Sequence, residues 1–246
     1  TKAGPFMVVY GIVFAIAMIL ATSYFLPAIQ ANGVAAAVDN AWGISVGWSA
    51  VVLAGVLAVI IVGGIKRIAN FASLVVPFMA GAYILFAIII LFVNFSQIPE
   101  VFGMIFKSAF GAEQAFSGLL GSAIMWGMKR GIYSNEAGQG TGPQSAAAAE
   151  VSHPAKQGFV QSFAVYIDTI FVCSATAFII ISTDMYKVFE NESEDGAVRY
   201  AGAIPDDVPV GPGYVQNGLD TLLAGFGPTF IAIAIAFFAF TTVLAY

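Results

Sequence analysis

The side chains in this chain that can do chemistry are few, and most stand alone in apolar sequence. Asp168 lies in AVYIDTIFV, residues 164–172. An ionisable residue inside a membrane span serves as an ion ligand, a proton carrier or glue between helices. Gln30 and Asn32 follow Pro27. Their amides both donate and accept, which suits a zwitterionic ligand and equally suits hydrogen bonding between helices. Thr241 and Thr242 are adjacent hydroxyls in the last apolar stretch. They can coordinate a small hard cation such as Na⁺, or bond back to a helix carbonyl. Gly118, Gly121 and Gly127 interrupt a short apolar run, Ala115 to Met128. Such glycines either let helices pack closely or mark a broken helix, whose freed backbone groups bind ions and carboxylates where they line a cavity.

Other features point away from catalysis. His153, the sole histidine, precedes Pro154 and reads as a helix cap; Cys173, the sole cysteine, reads as a small apolar residue. GQGTG, residues 138–142, has no strand pattern before it and no GK[ST] after it, so a nucleotide loop is not expected. The acidic run at 190–195 reads as a solvated face. No nucleophile–base pair, zinc pattern or phosphate loop occurs, so the expectation is a non-enzyme with no organic cofactor and no nucleic-acid partner.

The elements that hold these residues follow from composition. Of 246 residues, 59% are hydrophobic and 9% charged, with a mean hydropathy of +0.89. A soluble domain carries about 25% charged residues, so this chain belongs in a lipid bilayer. Apolar stretches predict spans at about 4–38 with a kink at Pro27, 44–65, 71–93, 115–128, 158–182 and 228–246. Residues 98–110 predict an interfacial helix and 214–223 a short surface helix, with a polar extracellular loop over 184–213. All elements are expected to be helical, because a backbone in lipid must satisfy its own hydrogen bonds. Both ends fall against or within apolar stretches, and the expectation is a piece of a longer protein.

One polar segment stands out. KRGIYSNEAGQGTGPQSAAAAEVSHPAKQ, residues 129–157, separates two apolar stretches and predicts a helix starting at Pro143. With loops assigned to alternate sides, one side carries six basic residues against two acidic ones, and the other three basic against eleven acidic. The basic side, with the Lys66/Arg67 and Lys129/Arg130 loops, is expected to be cytoplasmic. On that reading the polar segment begins at the cytoplasmic mouth.

The stretch GSAIMWGMKRGIYSNEAGQGTGPQSAAAAEVSHPAKQGFVQ, residues 121–161, resembles the signature of the alanine or glycine:cation symporter family, the sodium:alanine symporters. FLPAIQAN, VGGIKRIANFASLVVPFMA, NFSQIPEVFGMIFKSAF, VYIDTIFVCSATAFII and FFAFTTVLAY agree in order, so the resemblance covers almost the whole chain apart from residues 184–213. It implies an all-α membrane protein with a LeuT-type inverted-repeat transporter core, here incomplete, whose broken sixth core helix is residues 115–128. It implies a symporter coupling sodium influx to uptake of a small neutral amino acid, alanine or glycine, by alternating access in a bacterial or archaeal cell membrane. Gln30, Gly121, Ser122, Thr242 and Tyr246 then correspond to substrate contacts, and Thr241 and Thr242 to sodium ligands. Trp126 restricts substrate size if it faces the cavity. Asn135 and Glu136 latch or line the inner path, and Asp168 is a coupling candidate. The competing readings are a proton-coupled transporter of the same fold using Asp168, a membrane-embedded enzyme, and a non-transporting sensor.

Overall fold

The computed structural model describes residues 4–109, 120–136, 138–189 and 196–246. Its first element is a long helix with one defect: α1 (Pro5–Leu20) runs through a π-helical turn (Ala21–Phe25) into α2 (Leu26–Trp42). The defect has a local cause. Pro27 has no N–H to give the carbonyl four residues back, and a π turn widens the ladder just before it. Thr22 Oγ1 and Ser23 Oγ donate to the Met18 and Ile19 carbonyls across the same stretch. The chain leaves α2 through Gly43, whose φ of 64° closes the helix in a left-handed cap.

Three further helices follow: α3 (Val46–Ile61), α4 (Gly64–Val93) and α5 (Ile98–Ala109). Lys66 and Arg67 lie in the first turn of α4, not in the loop expected there; the break falls earlier, at Val62–Gly63. α6 (Leu120–Ser134) is followed by a short α7 (Thr141–Ala146) and by α8 (Pro154–Tyr166). His153 caps α8, its Nδ1 accepting the Ala155 N–H at 3.1 Å. A second π turn (Ile167–Cys173) leads into α9 (Ser174–Ser182).

Four helical stretches among the described residues are long and apolar enough to cross a membrane: Phe6–Trp42, Gly64–Val93, Pro154–Ser182 and Gly227–Ala245. The last of these is α11. Phe6, Val9, Ile12, Val13 and Ile16 stay exposed along α1, an outward apolar face suited to lipid.

Residues 184–213 depart from the all-helical expectation. β1 (Lys187–Phe189) and β2 (Val198–Ala201) pair antiparallel, with Lys187 opposite Ala201 and Val188 opposite Tyr200. Side chains hold this hairpin: Tyr200 donates to Asp184 Oδ1 at 2.8 Å, and Lys187 pairs with Asp206 Oδ1 at 3.0 Å. Outside a bilayer a hairpin can leave edge groups to water, so the constraint that imposed helices elsewhere is lifted.

α10 (Pro212–Leu222) is not the surface helix its polar sequence suggests. Gln216 and Leu219 are fully buried. Gln216 Nε2 donates to the carbonyls of Ala37 (2.9 Å) and Pro228 (3.1 Å), and Oε1 accepts Asn40 Nδ2 (2.8 Å). One amide thus ties α2, α10 and α11 together. Close by, the core joins α4, α9, α10 and α11 through Tyr83, Ile90, Phe178, Ile179, Leu219 and Ile231.

Candidate functional site

Of the expected discontinuous span 115–128, residues 115–119 lie outside the described residues. α6 runs without interruption through Gly121 and Gly127 to Ser134; Gly118 lies outside the described residues. The chain then turns at residues 135–136 and 138–140, where Glu136, Gly138 and Gly140 have φ of 51°, 76° and 91°. These left-handed conformations end one helix and aim the next. α7 ends at Ala146, so most of the alanine run after Pro143 is not helical.

This turn meets the middle of two long helical stretches, Phe6–Trp42 and Pro154–Ser182. Asp168 is the central residue of the 29-residue stretch Pro154–Ser182. Ser134 Oγ donates to Asp168 Oδ2 at 2.5 Å and lies 3.4 Å from Cys173 Sγ. Asn135 Nδ2 donates to Thr169 Oγ1 at 3.2 Å. On the other side, a Cβ on Gly140 would come within 2.9 Å of Phe14 Cζ, so the turn lies against α1, and its φ of 91° favours glycine there. Thr22, about 26 Å of helix rise from Pro5 and about 30 Å from Trp42, lines a cleft of about 300 Å³ with Thr141, Gln144 and Tyr246. The polar turn therefore packs at mid-length of these helices. Lys129 and Arg130 lie within α6, not in a loop, and both stack on Trp126, at 4.6 Å and 5.4 Å from its ring centre.

Each π turn offers one side of this arrangement. A π turn carries an extra residue, which frees a carbonyl and re-aims the side chains around it. In the second turn the Thr169 carbonyl is taken by the hydroxyl of Ser174, at 3.0 Å, while Asp168 and Thr169 hold Ser134 and Asn135. In the first, Thr22 faces the cleft.

Glu136 is the acidic group of the turn. Its Oε2 accepts Thr141 Oγ1 at 2.5 Å, and Tyr246, at the end of α11, lies close enough to interact electrostatically with its carboxylate. A second cleft, of about 750 Å³, is lined by Asn135 and Glu136 together with Gly142, Gln157, Gln161 and Ser162.

Asn135, Glu136, Asp168 and Tyr246 thus converge on one turn. The other sequence candidates do not join them directly. Gln30 is half-buried, makes no hydrogen bond among the described residues and lines neither cleft. The Thr241 hydroxyl donates to the Phe237 and Phe238 carbonyls, both at 3.0 Å, and Thr242 to Phe238 at 2.9 Å. Their hydrogens are thereby spent within α11, leaving oxygen lone pairs as the only free function. Gly121 and Ser122 lie near the start of α6, and their surroundings fall outside what the structure describes. Sequence reasoning missed Ser134, Thr141, Thr22 and Gln144. The glycines of GQGTG, read as turn formers beside an Asn-Glu pair, were the signal that could have found them.

The family model described as the sodium:alanine symporter family matches residues 3–246. The chain is 53% identical over 237 residues to YrbD of Bacillus subtilis, covering 96% of this chain and 48% of that protein. It is 51% identical over 230 residues to a sodium/proton-dependent alanine carrier protein of Bacillus sp. strain PS3, covering 94% of this chain and 51% of the relative. It is 38% identical over 219 residues to the sodium/alanine symporter AgcS of Methanococcus maripaludis, covering 89% and 45%. The chain spans about half the length of the curated relatives it matches. Family and relatives are transporters, not enzymes, and with the long apolar helices they make this a multi-pass membrane protein. On that match, the chain belongs to the sodium:alanine symporter family.

Proposed function

We propose that the complete protein is a secondary active symporter coupling sodium entry to uptake of a small neutral amino acid, alanine or glycine, by alternating access. The observation that carries this is the helix break at residues 135–140, set at mid-length of both long helices and surrounded by polar side chains. Irregular backbone within a bilayer is tolerated only where it is packed in protein or lines a cavity. Discontinuous helices of this kind supply binding groups in transporters. Sodium stabilises one state of the carrier, and coupling equals the difference in affinity between states.

In this reading the core is LeuT-type, and Gln30, Gly121, Ser122, Thr242 and Tyr246 contact substrate. Thr241 and Thr242 offer hydroxyl oxygens to sodium, and Trp126 limits substrate size. The protein sits in a bacterial or archaeal cell membrane with the Lys66/Arg67 and Lys129/Arg130 side cytoplasmic. The test is labelled alanine uptake by the complete protein in proteoliposomes under an inward sodium gradient, against choline. Uptake with sodium alone supports the reading; no uptake of any small amino acid under any gradient overturns it. A second reading, coupling to protons as well as sodium, is favoured by the sodium/proton-dependent relative from Bacillus sp. strain PS3.

A further inference from the structure

We propose that Asp168 is a positioning residue of the transporter. Together with Thr169 it holds the end of α6 and the polar turn in place, acting as a hydrogen-bond acceptor rather than as an ion ligand or a proton carrier. This rests on the transport reading above and assigns one residue a role in it.

Three observations carry it. First, the contact is double and in register. Ser134 and Asn135 are consecutive at the end of α6, and they meet Asp168 and Thr169, consecutive on the second π turn. Ser134 Oγ donates to Asp168 Oδ2 at 2.5 Å. The Asn135 amide makes two contacts with Thr169 Oγ1, its Nδ2 donating at 3.2 Å and its Oδ1 accepting at 3.3 Å. One hydrogen bond between two segments fixes a distance; two neighbouring ones also fix their relative rotation.

Second, both partners of the contact are themselves held. A π turn takes a carbonyl out of the helical ladder, and here the Ser174 hydroxyl donates to the Thr169 carbonyl at 3.0 Å. The last carbonyls of a helix also lack in-helix donors. At the end of α6, Asn135 Nδ2 donates to the Gly131 carbonyl at 3.1 Å, and Gln139 Nε2 to the Ile132 carbonyl at 3.1 Å. Asp168 and Thr169 thus join two ordered pieces, which is what transmits position from one to the other.

Third, what they position is a wall of the larger cleft. Asn135 and Glu136 line it from the turn, and Gln157, Gln161, Ser162 and Val165 line it from α8. Asp168 lines neither of the two clefts. It lies about two turns beyond Gln161 on the same helical stretch, so its bond to Ser134 sets how far the turn stands from α8. Oδ2, the oxygen that faces the turn, is already taken by the Ser134 hydrogen. An acceptor of that kind survives replacement by Asn, whose Oδ1 keeps the lone pairs; a countercharge or a proton carrier does not.

The experiment measures labelled alanine uptake by the complete protein in proteoliposomes under an inward sodium gradient. Maximal rate, half-saturating sodium and the pH profile are read for wild type, Asp168→Asn, Asp168→Ala, Ser134→Ala and the double alanine variant. Rates are taken per folded protein, counted by size-exclusion chromatography, so that loss of fold alone does not lower them. Asp168→Ala and Ser134→Ala are each expected to lower the maximal rate about tenfold, the worth of a hydrogen bond to a charged group, with half-saturating sodium unchanged. The double variant is expected to fall no further than the worse single one. Asp168→Asn is expected to stay within about fivefold of wild type, since a neutral acceptor is the weaker one, and to keep the wild-type sodium requirement and pH profile. An Asp168→Asn as impaired as Asp168→Ala, or one with a changed sodium requirement or pH profile, overturns the proposal, because the charge then matters and not the acceptor. Multiplying losses in the double variant overturn it too. Should the alanine variants not fold, Asp168→Asn decides by the same two outcomes. Wild type that transports beside an inactive Asp168→Asn sinks this role and leaves the symporter standing; wild type with no uptake under any gradient sinks both.

Discussion

Replacing Gln216 by Ala should loosen the contact between α2, α10 and α11. The fully buried amide makes three hydrogen bonds, to Ala37, Pro228 and Asn40. The two carbonyls sit inside helices and keep their own in-helix donors. Asn40 is exposed and can turn to water, so no group is orphaned outright. The loss is then three ordinary bonds at about 0.5–1.5 kcal/mol each, plus a methylene burial of about 0.8 kcal/mol. Allowing for the water regained by Asn40, the sum is about 3 kcal/mol. Melting shifts are about 2–4 °C per kcal/mol for 150–250 residues and fall inversely with size, so a protein about twice this length should melt about 3–6 °C lower. Scanning fluorimetry of the complete protein in nanodiscs measures this. Gln216→Met, which keeps the volume and loses only the bonds, should fall between. If Gln216→Ala melts with wild type, the amide is not the tie described here.

Gly227→Ala should destabilise the same corner and melt below wild type, because its Cβ would lie 2.4 Å from the Asp220 N and 2.6 Å from the Gln216 O, both backbone atoms that cannot swing aside. Gly140→Ala combines a φ of 91° with a 2.9 Å approach to Phe14, and it should cut uptake more than Gly142→Ala, whose Cβ meets nothing; equal rates would refute the close packing of the turn. In the hairpin, Asp184 and burial hold the Tyr200 phenol above its ordinary value of 10.0, and burial first, then Tyr200 and Asp184, does the same for Tyr186. The neutral phenols therefore stabilise the hairpin fully below pH 10.0, and that contribution is lost as pH rises through the raised values. Phenolate absorbance should show late-titrating tyrosines that titrate earlier in Asp184→Asn. Tyr83→Phe removes the hydroxyl contact to Thr176 between α4 and the π turn's neighbour α9. It should cost about 1 kcal/mol by the same melting assay, and no loss would place that contact outside the stability of the core.

Much of the helical plan was legible before any coordinates, and particular residues say why. Pro27 announced a defect, and a π turn appears just before it. Long apolar runs demanded helices, since lipid offers the backbone no other partner. The hairpin at residues 187–201 was not legible, because three- and four-residue strands held by Tyr–Asp and Lys–Asp contacts carry no periodic signal. Nor was the burial of α10. Its Gln216 and Asn217 are residues that ordinarily face water, and only α2 and α11 closing around it turn Gln216 into a buried brace.

The candidate site divides the same way. By itself the sequence determined which residue types were present: a lone aspartate in an apolar span, an Asn-Glu pair before GQGTG, a tyrosine at Tyr246. Their chemistry is intrinsic, and so is the glycines' capacity for left-handed backbone. The tertiary structure alone decided where the helix breaks and what meets the break. Gly121 and Gly127 are glycines too, yet α6 passes straight through them, because a glycine permits a turn without requiring one. The turn follows Ser134, where Asp168 binds Ser134 and Thr169 binds Asn135 from 34 residues away, while the neighbouring Thr141 binds Glu136. A break in a membrane helix stands only where such partners replace the lost backbone bonds, and most of those partners are set by packing rather than by neighbouring sequence.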